Sequence, residues 1–285
     1  VSGLQAITDW DDAYSNGAYI PGGDDYPARW AEQAAAFRAE LAAVGRVDLD
    51  QPYGEGARER YDLFRPGGAA QGTAKGTAKG TVVFVHGGYW MAFDKGRWSH
   101  LAAGALAHGW AVAMPSYTLC PESRVAGITR QVARAVEAIA QAQPGPLRLT
   151  GHSAGGHLVS RLACADAPLP PEVRGRVEHV VSISGLHDLR PLLNTRMNAT
   201  LNLDEAEAVA ESPALLRPRP GTRITCWAGA AERPEFIRQT ELLANIWHGL
   251  GAATELRLAG GRHHFDVIDD LADPHSDLLA ALLGS

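Results

Sequence analysis

One five-residue stretch constrains this chain more than any other. Gly151-His152-Ser153-Ala154-Gly155 sits between two runs of opposite character. Before it, Leu147-Arg148-Leu149-Thr150 follows a Pro-Gly-Pro break and reads as a short strand. After it, Gly156 to Ala163 reads as helix. A serine between a strand and a helix requires a sharp turn that lifts its hydroxyl off the end of a sheet. Strained backbone in that turn leaves room only for small neighbours, and Gly151, Ala154, Gly155 and Gly156 are all small. Elsewhere the same letters would be a glycine-rich turn with a passive serine. The flanking elements make Ser153 a candidate nucleophile instead.

The rest of the chain supplies the sheet such a turn needs. Thr81-Val82-Val83-Phe84-Val85 is a continuous apolar run, the pattern of a strand buried on both faces. Helical and strand patterns then alternate: helix from Trp98 to His108, strand from Trp110 to Met114, helix from Ile128 to Ala142. Past the serine come a strand from Glu178 to Ser184, a strand from Arg223 to Ala228, a helix from Glu235 to Leu250 and a strand from Thr254 to Leu258. A helix from Ser276 to Leu283 closes the chain. This alternation predicts an α/β fold, a mainly parallel sheet with helices on both faces. Reactive groups then gather where the strands end.

Ahead of this core, Arg58 to Arg65 alternates as an early antiparallel strand. Pro27 to Val44 is helical, with Trp30, Ala34, Phe37 and Leu41 on one stripe and Pro27 in its first turn. Residues 1–26 read as a loop-like arm, its aromatics serving as anchors or as one side of a pocket. The expected organisation is an arm and helix (1–56) packed on a core domain (57–285), with a small cap-like insertion at about 185–213. The tandem duplication over 72–80 reads as a flexible hairpin insertion without a function of its own.

Composition narrows the function classes. Against 32 acidic residues stand 26 basic ones, a net charge of -6 with no long basic run, which argues against nucleic acid or an anionic membrane as partner. Cys120, Cys164 and Cys226 are odd in number and widely spaced. They form no zinc framework, so free thiols in a reducing compartment are expected. Neither a signal-peptide pattern nor an apolar run of membrane-spanning length occurs. The expectation is a cytoplasmic protein with a small-molecule substrate, and a homodimer suits a chain of this size.

A serine hydroxyl needs a base, a group to orient that base, and donors for the developing oxyanion. His263 and His264 alone among the downstream histidines lie in the loop after the last strand pattern. His264 is the favoured base, because Phe265-Asp266-Val267-Ile268 reads as a helix start that would anchor it. Glu232 is the first acidic residue after the Arg223–Ala228 strand and is the candidate orienter; its bland alternative is a surface pair with Arg233. Glu235 belongs instead to the first turn of the next helix. His86-Gly87-Gly88-Tyr89-Trp90 ends the Thr81–Val85 strand in a loop whose glycines let backbone amides approach a carbonyl oxygen. Gly88, with Gly87, Tyr89 and the Ala154 amide, is the expected oxyanion hole. Trp90, Phe93, Tyr117 and His152 are candidate pocket residues.

These motifs resemble the arylformamidase (kynurenine formamidase) and esterase branch of the α/β hydrolases. The likeness rests on His86-Gly87-Gly88-Tyr89-Trp90, Tyr117-Thr118-Leu119-Cys120-Pro121, Gly151 to His157, Ser184-Gly185-Leu186-His187-Asp188-Leu189, Glu232 to Phe236 and His264-Phe265-Asp266. It implies the α/β-hydrolase fold and a cofactor-free serine hydrolase acting on small esters or aryl formamides. It also supports Ser153, Glu232 and His264 as the catalytic set, although many members carry Asp where this chain has Glu232. Two other readings are a non-catalytic ligand-binding protein on the same scaffold and a metal-dependent hydrolase using its histidines. An intact set of candidate groups argues against the first, and the absence of a metal-ligand spacing such as H-E-x-x-H against the second.

Overall fold

The structure is a computed structural model that describes residues 6–67 and 78–284. Most of the 72–80 duplication therefore lies outside the described residues. Eight strands form one sheet in the order β1-β2-β4-β3-β5-β6-β7-β8. They are β1 (Val47–Pro52), β2 (Arg60–Phe64), β3 (Thr81–Val85), β4 (Ala111–Pro115), β5 (Leu147–His152), β6 (Val177–Ile183), β7 (Arg223–Gly229) and β8 (Ala253–Ala259). The β1–β2 and β2–β4 pairs are antiparallel. From β4 through β8 every pair is parallel.

Burial explains this order. All residues of β3 and β5 are buried at the centre of a sheet covered on both faces, as the apolar sequence of β3 requires; β5 carries Arg148, Thr150 and His152 into the interior with it. Side chains alternate between two cores. Val83, Val85 and Leu149 join Leu158, Phe236 and Trp247 on one face. Val82 and Phe84 join Trp30, Trp98, Val181 and Leu279 on the other. The Val125–Ala142 helix packs with Val125, Ile128, Val132, Val136 and Ile139 buried, a stripe at helical spacing. The edge strand β8 is only partly covered and leaves Leu256 and Leu258 exposed.

Strand β1 and the helix after β3 differ from the sequence expectation, and the loop-like arm contains a short helix over Trp10–Ala13. Strand β1 carries Asp48, Asp50 and Gln51, so no apolar alternation marks it; it pairs on one side only, at the sheet edge. The helix expected from Trp98 to His108 begins as a 3₁₀ turn over Ser99–Ala102 and becomes α-helical over Ala103–Ala107. The tighter turn aligns residues three apart, which brings Trp98 and Leu101 into the same core. The helix Tyr26–Ala43 carries its proline in the first turn and buries Trp30, Ala34 and Leu41. All three cysteines are buried and unpaired, and burial pushes the Cys120 thiol up to about 11 and the Cys226 thiol up to about 12. Among the described residues no helix is long and apolar enough to cross a membrane.

Candidate active site

Parallel order places five loops side by side. β5 lies between β3 and β6, so the loops leaving β3, β5 and β6 are neighbours, followed by those leaving β7 and β8. At the end of β5, Ser153 turns the chain into the helix Ala154–Leu162 with φ 56° and ψ -118°. A side chain at positive φ costs roughly 1–3 kcal/mol, held here by surrounding contacts. The Ser153 amide donates to Ile183 O at 2.8 Å, and the Ser153 carbonyl accepts from the His157 amide at 3.0 Å. Gly155 must be glycine, because a Cβ there would strike the Val85 carbonyl oxygen. The Ser153 hydroxyl is buried and has no hydrogen-bond partner among the described residues.

Glu232 follows β7 and is buried. Its Oε2 lies 2.6 Å from Nδ1 of His264. Its Oε1 accepts from the Gly229 amide at 2.7 Å and from the Ser184 hydroxyl at 2.5 Å. Ser184 ends β6 at φ 52°, a second positive-φ residue at a strand end. The carboxylate is thereby held by three donors, and Nδ1–H of His264 is fixed as one of them. This leaves Nε2 of His264 as the free ring nitrogen. The His264 ring packs 4.4 Å from Phe236 and 4.5 Å from His152, centroid to centroid.

His263 has a different environment. Its ring contacts the Tyr26 hydroxyl at 3.1 Å, and its Nδ1 accepts from the Phe265 and Asp266 amides. The Asp266 carboxylate accepts from the His263 amide at 2.7 Å. These local bonds replace the helix start expected at Phe265–Ile268. The segment forms turns, and a short 3₁₀ helix appears only at Asp269–Leu271. Glu235 also stands apart from His264. It accepts from the Tyr14 hydroxyl at 2.8 Å, from Gln239 at 2.9 Å and from Arg238 at 2.7 Å.

The loop after β3 runs through an unusual backbone: Gly88 at φ 105°, Tyr89 at 51° and Trp90 at 58°. A Cβ on Gly88 would meet the Phe93 ring at 2.8 Å, so no side chain fits there. His86 anchors the loop, its ring stacked 4.3 Å from Tyr117 and its carbonyl accepting from the Tyr117 hydroxyl. Burial holds the His86 imidazole down at about 4, so it is neutral. Among the described residues the amides of Gly87, Gly88, Tyr89 and Ala154 donate to no backbone carbonyl. Four such unspent donors beside a strained serine can hold an oxyanion.

Ser153 and His264 line one cavity of about 160 Å³, together with Gly88, Tyr89 and His152. Burial, then the neighbouring His264, push the His152 imidazole well below the usual histidine range. Phe93, Trp98 and Phe265 supply aromatic wall, and Asn16, Gly17, Pro27 and Trp30 close it from the N-terminal side. Of the candidate pocket residues, Phe93 and His152 reach the cavity; Trp90 and Tyr117 do not. Trp90 is fully buried with its ring edge-on to His157, and Tyr117 is fully buried against His86. Both support the loop from below: Trp90 at its positive φ sends its ring into the core, and Tyr117, from the segment after β4, donates to the His86 carbonyl. The 185–213 insertion folds into short helices at Arg190–Asn194, Asn198–Leu201 and Glu205–Ala210, and none of its residues lines the cavity. Sequence reasoning offered the 1–26 arm as one side of a pocket without naming Asn16 or Gly17, and did not assign Pro27, Trp30, Phe265 or Ser184 to the site. Trp30 sits on an ordinary apolar helix stripe, and nothing local distinguishes Ser184 from any strand-end serine.

Comparison with known proteins agrees with this architecture. Residues 82–220 match a family described as having the alpha/beta hydrolase fold. A kynurenine formamidase of Danio rerio is 27% identical over 280 residues, covering 90% of this chain and 92% of that protein. A crystal structure from Silicibacter sp. TM1040, described as a candidate thioesterase, is 50% identical, covers 96% of this chain and 99% of its own, and superposes with a TM-score of 0.89. Esterase B from Lactobacillus rhamnosis, at 20% identity and 92% and 93% coverage, shares the fold with a TM-score of 0.63. The chain has the α/β-hydrolase fold of the family matched over residues 82–220 and is a hydrolase.

Proposed function

We propose that the chain cleaves small acyl esters and aryl formamides through an acyl-enzyme on Ser153. His264 takes the hydroxyl proton at Nε2 as Ser153 attacks the carbonyl carbon, and returns it to the departing alkoxide or amine. Glu232 holds the imidazole in that tautomer and stabilises the imidazolium as it forms. The amides of Gly88 and Ala154, with those of Gly87 and Tyr89 beside them, receive the carbonyl oxygen as it becomes anionic. Water then repeats the sequence on the acyl-enzyme and frees the acid. No metal or cofactor enters these steps.

The observation that carries this reading is the 2.6 Å contact between Glu232 and His264 at the cavity where Ser153 sits in strained geometry. The cavity, about 160 Å³, favours a short acyl group, since ordinary ligand pockets start at roughly 300 Å³. Its aromatic wall suits a flat leaving group, and the name of the Danio rerio relative points to a formamide. The Silicibacter relative favours a second substrate class, acyl thioesters, which the same machinery would cleave. Rates on phenyl formate, formanilide and a matched acyl thioester rank the three. Ser153→Ala is expected to lose about 10⁴-fold or more in kcat while keeping its circular-dichroism spectrum. Wild-type turnover by this variant would overturn the mechanism.

A further inference from the structure

Two polar groups at the cavity, His152 and Asn16, are left unused by the acyl-transfer steps, and only Asn16 comes from the N-terminal arm. Asn16 is only 6% exposed and lines the cavity that holds Ser153 and His264. It also lines a second depression, which His264 and Glu232 line as well. Its Nδ2 donates to the Tyr89 hydroxyl at 3.2 Å. That hydroxyl spends its own proton on the Tyr14 carbonyl, which can only accept. Tyr89 can therefore only accept from Asn16, and this settles which end of the amide faces it. The other end, Oδ1, is buried with no hydrogen-bond partner among the described residues. A buried acceptor left empty is costly, so a ligand that fills it gains selectivity.

We propose that Asn16 Oδ1 is a specificity-determining acceptor for the N–H of a formamide leaving group. This rests on the acyl-transfer reading of the site and names which of its substrates the arm selects. In an anilide the scissile nitrogen carries a hydrogen. In the corresponding ester the same position is an oxygen with lone pairs only. An anilide satisfies Oδ1, whereas an ester leaves it empty and faces it with a second acceptor. Sites built to bond a polar hydrogen reject analogues lacking it for this reason. The arm is fixed well enough to impose the choice: Tyr14 bonds Glu235, and Arg233 bonds Asp12.

The test is kcat/KM on formanilide and on phenyl formate, a pair alike except for N–H against O, in wild type, Asn16→Ala and Asn16→Asp. The ratio of formanilide to ester rate is expected to fall about tenfold in Asn16→Ala, the loss of one hydrogen bond. Asn16→Asp, which keeps an acceptor oxygen in the same shape but gives up the bond to Tyr89, is expected to retain the preference at a lower rate on both substrates. An unchanged ratio in the alanine variant overturns the assignment. So do equal losses on both substrates in that variant, which would leave Asn16 a support for Tyr89 alone, and so does a preference lost as fully in the aspartate variant. If wild type cleaves the ester and not the anilide, the acceptor role fails while the serine mechanism stands. If it cleaves neither, nor the thioester, the proposed function itself fails.

Discussion

Glu232 and Glu235 are three positions apart, and both are buried, yet they occupy opposite sides of the molecule's division of labour. Glu232 sits before the helix Pro234–Gly249, in the loop leaving β7, and receives Gly229, Ser184 and His264. Glu235 sits inside that helix's first turn and receives Tyr14, Arg238 and Gln239. One orients an imidazole at the cavity; the other ties the N-terminal arm to the core. Side-chain chemistry is identical in the two. What separates them is whether the backbone has entered the helix, because the helical turn rotates the second carboxylate toward the arm.

The sharpest way to break this contrast is Glu232→Gln. The amide cannot hold the imidazole tautomer, and kcat for ester hydrolysis is expected to fall about 10⁴-fold with little change in thermal midpoint. A loss under about tenfold would remove Glu232 from the mechanism. Glu235→Gln should do the reverse. It leaves Arg238 and Tyr14 with a weakened partner in a buried network, so unfolding free energy in urea should drop by about 3 kcal/mol, with kcat on p-nitrophenyl acetate within about tenfold of wild type. A large kcat loss at unchanged stability would mean that the two glutamates have been assigned the wrong way round.

Acid probes both sides together. Burial depresses His86 under the loop after β3 to about 4, and His157 and His187 to about 3. The His187 amide donates to Gln239, inside the Glu235 network. In the unfolded chain these rings titrate near the ordinary value of 6.5, so the unfolded state takes up protons first as pH falls. Their contribution to stability is whole above that value and is lost as pH drops toward 4 and 3. Each should cost about 2 kcal/mol by pH 5, read from urea midpoints across that range. Stability that is flat from pH 7 to 5 would contradict neutral burial. The smallest expected effect is at Ser184→Ala, which deletes one donor to Glu232. A loss of about 1.5 kcal/mol of transition-state stabilisation, roughly tenfold in kcat, is expected, with KM little changed. A change confined to KM would mean that Ser184 meets substrate rather than Glu232.

The elements most legible in the sequence were those whose signal is local. β3 announces itself by a continuous apolar run, β5 by its place between a Pro-Gly-Pro break and the serine turn, and the Val125–Ala142 helix by its stripe of buried positions. Ser153 and Gly88 stand in motifs whose small residues are dictated by backbone strain at that point, which structure and sequence express in the same five letters. β1 escaped notice because an edge strand with Asp48 and Asp50 needs no apolar alternation.

Sequence by itself determined the strand-turn-helix unit around Ser153, the glycine-rich loop that faces it, and the order in which serine, carboxylate and histidine follow along the chain. Tertiary structure alone decided what closes the cavity. An insertion at 185–213 had the position of a cap, but the N-terminal segment supplies Asn16, Gly17, Pro27 and Trp30 instead. It alone also sent Trp90 and Tyr117 beneath the loop and Ser184 to the carboxylate. The physical reason is range. Backbone strain and apolar periodicity act over a few residues and leave their mark in the local sequence. A contact such as that of Asn16 with Tyr89, 73 positions away, depends on how whole elements pack and leaves no local mark.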